Sequence, residues 1–267
     1  MIYRRLLAPF VLCLFVNGCG ASTSSSAANA TKTPPADHGH VHAKREPRPR
    51  KTLTARPRVP QFTTLKINSQ SPSVATLQRE LDQLGYYSYA GVTGYYGMFT
   101  AGAVMTFQAQ HGFPTNGIAT PALQRLLATD VRLHKRNALG EPYRIIVRES
   151  IPERLSLYRG TRLVLSSLCN TGIAGARTPL GSFPVYQKFV SQTMTGVNPN
   201  GTHYTDPGIP WIMYFYQGGF AVHGFIRAQY GFPQSVGCVE LPPPVAKQIF
   251  SRIPIGTIVT VESGPAV

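Results

Sequence analysis

The sequence predicts an α+β chain of two domains, a small three-helix module followed by a mainly antiparallel β domain with one packed helix. Between residues 71 and 128, apolar residues recur with the spacing of one helical face. From residue 143 onward, short runs rich in β-branched and aromatic residues alternate with turn signals. The 23 Pro and 25 Gly residues favour many turns and few long helices.

Residues 1–19 have the pattern of a targeting segment. Two arginines precede an apolar run of eleven residues, Leu6–Val16. That run is shorter than the roughly 20 residues that a membrane-spanning helix needs. It ends in Val16-Asn17-Gly18-Cys19, which resembles the lipobox of bacterial lipoproteins and implies lipid anchoring at Cys19. Ordinary signal cleavage after Ala21 is the alternative, and both interpretations predict export.

Residues 20–65 are predicted to be a disordered linker, because Ser, Thr, Ala and Pro dominate and no apolar period appears. Eight of the 26 basic residues lie between residues 31 and 60 against two acidic ones, which gives this stretch +6 of the net +15. Its basic end either lies on anionic lipid or wall polymers or is simply solvated. The basic excess therefore belongs to a linker and does not indicate nucleic-acid binding. His38, His40 and His42 alternate there, but no Cys or carboxylate cluster completes a metal site.

The module is predicted over residues 66–136. Its first helix begins near Pro72 and ends at Gly85, with apolar residues at Val74, Leu77, Leu81 and Leu84. A loop rich in tyrosine and glycine follows. The pattern then predicts a second helix over residues 101–111 and a short third one over residues 121–127.

This segment resembles the peptidoglycan-binding module of three short helices found beside many wall enzymes. Two departures fall in its loop: Thr93 stands where that family usually has Asp, and extra residues surround Ala90-Gly91. Because both departures lie where the loop would face a ligand, they bear on the affinity for the cell wall and not on the fold of the module. The loop tyrosines either pack in a small core or stack on sugars; they are Tyr86, Tyr87, Tyr89, Tyr95 and Tyr96. The residues that carry the resemblance are Leu77, Gln78, Leu81, Gly85, Tyr86, Gly94, Gly97, Thr100, Val104, Phe107, Gln108, Gly112 and Gly117.

Residues 140–267 are predicted to form the β domain. Only residues 244–250 in this part have a helical pattern, and Arg159-Gly160 lies between two strands as in a hairpin. The predicted strands are 143–148, 154–158, 163–168, 182–190, 211–216, 220–222 and 257–261.

Candidate chemistry is concentrated in two residues of this domain, His223 and Cys238. They lie fifteen positions apart, and an imidazole near a thiol can generate the reactive thiolate. Gly237 before the cysteine leaves the backbone free to turn and to aim N–H groups at one point. The spacing alone is also compatible with a buried structural cysteine and a core histidine.

The surrounding motifs resemble those of L,D-transpeptidases. His223, fourteen residues and then Ser235-Val236-Gly237-Cys238 is similar to the signature of that family. Val236 stands in place of the second histidine of the signature, and Glu240 stands where the family often has Arg. The other matching pieces, in order, are Thr178-Pro179-x-Gly181-x-Phe183, Pro210–Gly224 and Gly256-Thr257-x-Val259.

The resemblance implies a cysteine acyltransferase that acts on peptidoglycan. His223, oriented by the Gly224 carbonyl, takes the proton of Cys238, which attacks a stem tetrapeptide and expels D-alanine. An amine from a neighbouring stem then forms a 3→3 cross-link, whereas water would make the enzyme a carboxypeptidase. No metal or organic cofactor is implied. Backbone N–H groups of Val236, Gly237 and Cys238 would hold the oxyanion, while Ser235 shapes the loop.

The implied partners are peptidoglycan stem peptides and glycan, with the membrane reached through Cys19 and no nucleic acid. A protein of another class, a wall-binding lipoprotein with an inactive catalytic half, is the competing hypothesis. Cys169 and Cys238 remain after the export signal, and a disulfide between them would silence Cys238. Cys169 ends an apolar run, so a buried free thiol is predicted.

Overall fold

A computed structural model describes residues 61–87 and 91–264. The α+β organisation in two parts is confirmed. Three helices come first, α1 (Pro72–Gln83), α2 (Met98–Gln110) and α3 (Pro121–Arg132), and α4 (Pro243–Arg252) lies within the second part. The strands are β1 (Tyr143–Arg148), β2 (Arg154–Arg159), β3 (Arg162–Leu168), β4 (Gly181–Pro184), β5 (Gln187–Val197), β6 (His203–Tyr216), β7 (Phe220–Gly224), β8 (Val239–Leu241) and β9 (Ile258–Glu262).

The helical module has its own apolar core, to which each helix contributes. Ser71 and Thr120 cap α1 and α3 by accepting backbone N–H bonds, and a proline follows each cap. Two buried glutamines fix the loops: Gln78 bonds to the backbone of Thr93, Gly94 and Tyr95, and Gln108 bonds to Gly117 and Ile118. An amide suits both positions because it donates and accepts at once.

The tyrosine-rich loop is divided between core and surface. Tyr86, Tyr87 and Tyr96 are buried, which agrees with packing in the core. Tyr95 is 45% exposed and donates to the Asn68 side chain. Tyr89 lies outside the described residues, as do residues 1–60, which hold the predicted signal, lipobox, histidines and most of the predicted linker. The linker bound at residue 65 was wrong, because Leu65 is buried in the core of the module and pairs with Ala119. No helix within the described ranges has the length and apolarity that crossing a membrane requires.

Two sheets form the second part. One has the order β3-β2-β1-β9-β4 and the other β5-β6-β7-β8. All pairs are antiparallel except β1 with β9 and β7 with β8. The main core lies between the sheets and α4, and it contains Ile145, Leu157, Met213, Val222 and Val259. The mainly antiparallel prediction with one packed helix is therefore confirmed.

One predicted strand, 182–190, is two strands, and this prediction was wrong. β4 pairs with β9 in the first sheet, whereas β5 pairs with β6 in the second. The chain crosses between the sheets at Val185, which is fully buried and bonds to Thr257 and Gly256. Pro184 has no N–H to donate, which suits the end of a strand. The short strand β8 was not predicted, because three residues carry too little alternation to be recognised.

The module packs directly on the sheet that contains β9. Gly102 of α2 lies against the Gly256 backbone, and a Cβ built on Gly102 would come within 2.5 Å of the Gly256 carbonyl oxygen. The Thr106 hydroxyl donates to the Ile255 carbonyl at 3.0 Å. Because α2 is covered on one side by α1 and on the other by the sheet, its residues from Thr100 to Gln108 are all buried.

Candidate active site

The parallel pair β7 and β8 places His223 and Cys238 on the same face of the second sheet. Val222 and Val239 are register partners and both point into the main core. Side chains alternate along a strand, so the neighbouring residues His223, Cys238 and Glu240 face the opposite way. There they line one cleft of about 320 Å³ with residues of β6 and the loop before β8.

A tight loop, residues 235–238, precedes β8 and presents the cysteine. Ser235 Oγ donates to the Cys238 carbonyl at 2.5 Å and accepts the Gly237 N–H at 3.1 Å, so one buried hydroxyl closes the turn. Gly237 has φ +107°, and a Cβ there would collide with the ring of Phe220. Both facts explain the need for glycine at this position.

The Gly237 N–H bond changes one expectation from the sequence. Three N–H groups were expected to hold an oxyanion, those of Val236, Gly237 and Cys238. Because the Gly237 N–H already donates to Ser235 Oγ, it is not free for an incoming oxygen. The Val236 and Cys238 N–H groups are the donors of this loop that stay candidates for that role.

His223 is buried, with a fractional exposure of 4%, and its ring orientation is fixed locally. Nδ1 lies 3.1 Å from the Gly224 carbonyl oxygen, which requires a proton on Nδ1 and leaves Nε2 as the basic nitrogen. Burial lowers the pKa of His223, while the hydrogen bond to Gly224 and the charge of Glu240 act in the opposite direction. A neutral imidazole in the resting protein follows.

Cys238 is a free thiol, and so is the fully buried Cys169, which excludes the disulfide between them in this structure and confirms the predicted buried thiol. Burial raises the pKa of the Cys238 thiol to about 12, the Ala221 N–H acts against that shift, and Glu240 adds to it. The sulfur lies 3.7 Å from the Gly219 carbonyl oxygen. The thiol is therefore protonated at neutral pH and needs a base to become a nucleophile.

Cys238 is reached from two sides. The 320 Å³ cleft opens on the His223 side and a second hollow of about 260 Å³ opens on the side of Gly219 and Phe220. The long hairpin of β5 and β6 contributes Met194 and Tyr204 to both hollows. Two peptide chains, one in each hollow, could therefore meet at the sulfur, as a reaction that joins two substrates requires.

Two residues of the site were not identified from the sequence. Asp206 of β6 lines the cleft, as does Arg227, which forms an ion pair with Glu240. Asp206 is remote from the motif in sequence, and only the β6 register brings it to the cleft. Arg227 lies inside the His–Cys segment, where the acidic Glu240 was the one available hint of a partner. Within the described residues, no group of three or more His, Cys, Asp or Glu side chains is arranged to hold a metal ion.

Two models of known protein families match the chain, one in each part. Residues 142–261 match the model of the L,D-transpeptidase catalytic domain, YkuD, and residues 70–127 match that of the putative peptidoglycan binding domain. The search among curated proteins found no match.

Solved structures with similarity include several L,D-transpeptidases. The catalytic domain from E. faecium is 28% identical over 46% of this chain and 98% of that one, with a TM-score of 0.42. An L,D-transpeptidase from Mycobacterium smegmatis is 19% identical over 46% of this chain and 59% of its own length, with a TM-score of 0.41. One from Xylanimonas cellulosilytica is 24% identical over 76% of this chain and 100% of that one, with a TM-score of 0.36. These scores are too low to establish a common fold, so the assignment depends on the family models.

Proposed function

Since residues 142–261 form an L,D-transpeptidase catalytic domain of the YkuD family, we propose that the chain is a cell-wall L,D-transpeptidase with Cys238 as nucleophile and His223 as base. The observation that carries the proposal is the β7–β8 register, which puts both side chains on one face of the sheet and in one cleft. The fixed tautomer of His223, with Nε2 free, supports the role of base.

In the proposed first half-reaction, His223 Nε2 takes the thiol proton as Cys238 sulfur attacks the carbonyl carbon of the third, diamino-acid residue of a stem tetrapeptide. The N–H groups of Val236 and Cys238 stabilise the oxyanion, each typically contributing about 2.7–4 kcal/mol. Collapse breaks the peptide bond, and the imidazolium returns its proton to the amine of the leaving D-alanine. A thioester on Cys238 remains.

In the second half-reaction, an amine of a neighbouring stem attacks the thioester carbonyl and loses a proton to His223. The C–S bond breaks, the thiol is restored and a 3→3 cross-link forms. The two hollows that meet at Cys238 support separate approaches for donor and acceptor. No step needs a metal or an organic cofactor.

We extend the proposal to the arrangement of the whole chain. Residues 1–19 act as the export signal, residues 20–64 as a linker, residues 65–136 as the peptidoglycan-binding module, with Leu65 in its core, and residues 140–267 as the catalytic domain. The matching families support an exported protein associated with the cell wall. The finer proposal, a lipid anchor at Cys19 beneath a wall-facing enzyme, follows from the lipobox pattern.

The experiment is intact-mass spectrometry of the purified protein mixed with a disaccharide-tetrapeptide. Wild type and the Cys169→Ala variant should each gain the mass of the donor minus D-alanine, and Cys238→Ala should gain nothing. Cys169→Ala is the matched control because Cys169 is a buried free thiol. If wild type forms no adduct and releases no D-alanine, the competing hypothesis of a wall-binding lipoprotein with an inactive catalytic half is favoured. Release of D-alanine without transfer to an amine would indicate a carboxypeptidase.

A further inference from the structure

Glu240 places a buried carboxylate beside the proposed catalytic pair. It lies on β8, where its register partner is His223 on β7, and it follows Cys238 by two residues. Its side chain is only 5% exposed. Burying an ionised carboxylate is costly unless it is paired and hydrogen-bonded. A negative charge at this place therefore requires a specific partner.

Arg227 is that partner. Its Nε and Nη2 atoms each lie 2.8 Å from a different oxygen of Glu240, a bidentate arrangement. The guanidinium also lies over the ring of Phe225 at 4.5 Å, and the Arg227 N–H donates to the Tyr230 hydroxyl at 3.2 Å. The loop after β7 thus holds the arginine in one orientation. This pairing puts a cation beside the residue that departs from the transpeptidase signature.

We propose that Arg227 is a positioning residue of the transfer reaction, which acts by pairing Glu240 and so keeps an uncompensated negative charge away from Cys238 and His223. The inference rests on the roles proposed above for those two residues. It goes beyond them because Arg227 need not touch either substrate. The Arg227–Glu240 pair has no net charge, so removal of either member changes the electrostatic potential at Cys238 and His223.

The charges around the catalytic pair give the direction of the effect. Glu240 and Asp206 raise the pKa of His223 and Arg227 lowers it, and Glu240 also raises the pKa of the Cys238 thiol. Removing Arg227 takes away the cation that lowers the pKa of His223 and leaves Glu240 unpaired, so we expect the pKa of His223 to rise and that of the Cys238 thiol to rise with it. The thiolate then forms only at higher pH. The groups that face the pair are Tyr204, Asp206 and Tyr214 from β6, Arg227 from the loop after β7, and Glu240 from β8.

The test is a double-mutant cycle of Arg227→Ala and Glu240→Gln, alone and combined, read by alkylation of Cys238 with iodoacetamide between pH 6 and pH 10. Mass spectrometry of the peptide that contains Cys238 excludes signal from the other cysteines. Arg227→Ala should slow alkylation at pH 8 about tenfold, which corresponds to a shift of about one pH unit. Arg227→Ala combined with Glu240→Gln should restore the wild-type rate within about threefold, because the unpaired charge is gone. Arg227→Lys should reduce the alkylation rate less than Arg227→Ala does, because lysine keeps the positive charge but not the bidentate geometry.

Arg148→Ala is the control, since it removes an arginine from an exposed ion pair with Glu262; its profile should match wild type. An unchanged profile for Arg227→Ala, or a double variant as slow as the single one, would overturn the proposal. So would a raised KM for the stem peptide at unchanged alkylation, because Arg227 would then bind substrate directly. If the cycle closes as expected but wild type forms no acyl-enzyme, the coupling stands and the transpeptidase proposal fails.

Discussion

At the scale of single residues, the proposed nucleophile is a thiol in an unfavourable place for a thiolate. Burial raises the pKa of Cys238 to about 12, and the hydrogen bond from the Ala221 N–H offsets only part of that effect. Burial lowers the pKa of His223. Both shifts disfavour a preformed thiolate–imidazolium pair. Proton transfer is therefore expected to accompany attack on the substrate.

We expect the acidic limb of the pH profile of kcat/KM to lie below pH 6.5. The base must be neutral, and His223 has a pKa lowered from 6.5, so the imidazole stays unprotonated as the pH falls through that value. The measurement is the rate of acyl-enzyme formation between pH 4.5 and pH 8. An acidic limb above pH 6.5 would mean that the free enzyme stabilises the imidazolium of His223, which would contradict the lowered pKa of that residue.

Gly237→Ala is expected to reduce the acylation rate by about 100-fold, because a displacement of the reacting atom by about 1 Å has that order of cost. The backbone has φ +107° and the added Cβ would strike Phe220. Gly201→Ala is the control, with φ +83° and open space around the added Cβ. Equal losses in both variants would show that general backbone strain, and not the position of Cys238, is responsible.

At the scale of elements, a series of hydrogen bonds connects β2 to the loop that carries Cys238. Glu153 precedes β2 and is 1% exposed; its two carboxylate oxygens accept the Thr171 N–H and hydroxyl, each at 2.7 Å. The Thr171 carbonyl in turn accepts the N–H of Ser235 at 3.0 Å. Ser235 then closes the turn at Gly237. The position of the nucleophile thus depends on a carboxylate outside the cleft.

Glu153→Ala should destabilise the fold by about 1–3 kcal/mol, because the buried Thr171 N–H loses its acceptor. Glu153→Gln should keep wild-type stability and activity, since an amide can accept that N–H and donate to the hydroxyl. Burial raises the pKa of Glu153, so the neutral amide also avoids the cost of a buried charge at pH 7. Denaturant unfolding and acylation rates test this, with Glu262→Ala as an exposed control. Equal losses in the Gln and Ala variants would refute it.

At the scale of the whole molecule, the helical module and the catalytic part share a close backbone contact. Gly102 and Gly256 face one another, and Thr106 bonds across the contact to Ile255. Only glycines permit this approach, since a Cβ on either one would meet backbone atoms of the other. A glycine in a helix interior normally costs about 1 kcal/mol relative to alanine. Here glycine is needed at position 102 because any larger residue would prevent the close contact with the sheet.

Gly102→Ala is therefore expected to lower the thermal stability of the protein, although the same change in an isolated helix would raise it by about 1 kcal/mol. The added Cβ would come within 2.8 Å of the Ile258 side chain. Calorimetry and limited proteolysis between residues 133 and 142 should show earlier unfolding and faster cleavage. Thr76→Ala, on the exposed side of α1, serves as the control. A stabilised Gly102→Ala protein would show that the two parts are not packed together in solution.

Much of this organisation was predictable because it depends on local pattern. The apolar spacing in α1 and α3, the β-branched runs of β1 to β3 and the turn signals between them each act within one element. The predicted strand 182–190 failed because its two halves pair with different sheets, a nonlocal event. The role of the Gly237 N–H was also missed, since it depends on where the Ser235 hydroxyl points.

The sequence by itself determined the two-part architecture, the candidate residues His223 and Cys238 and the signature-like motif around them. These follow from residue type, order and spacing. Only the tertiary structure decided that Asp206 lies in the cleft with that pair and that Arg227 pairs with Glu240 there. The reason is physical: charges act through space over several ångströms, and strands distant in sequence come together only by sheet pairing and core burial.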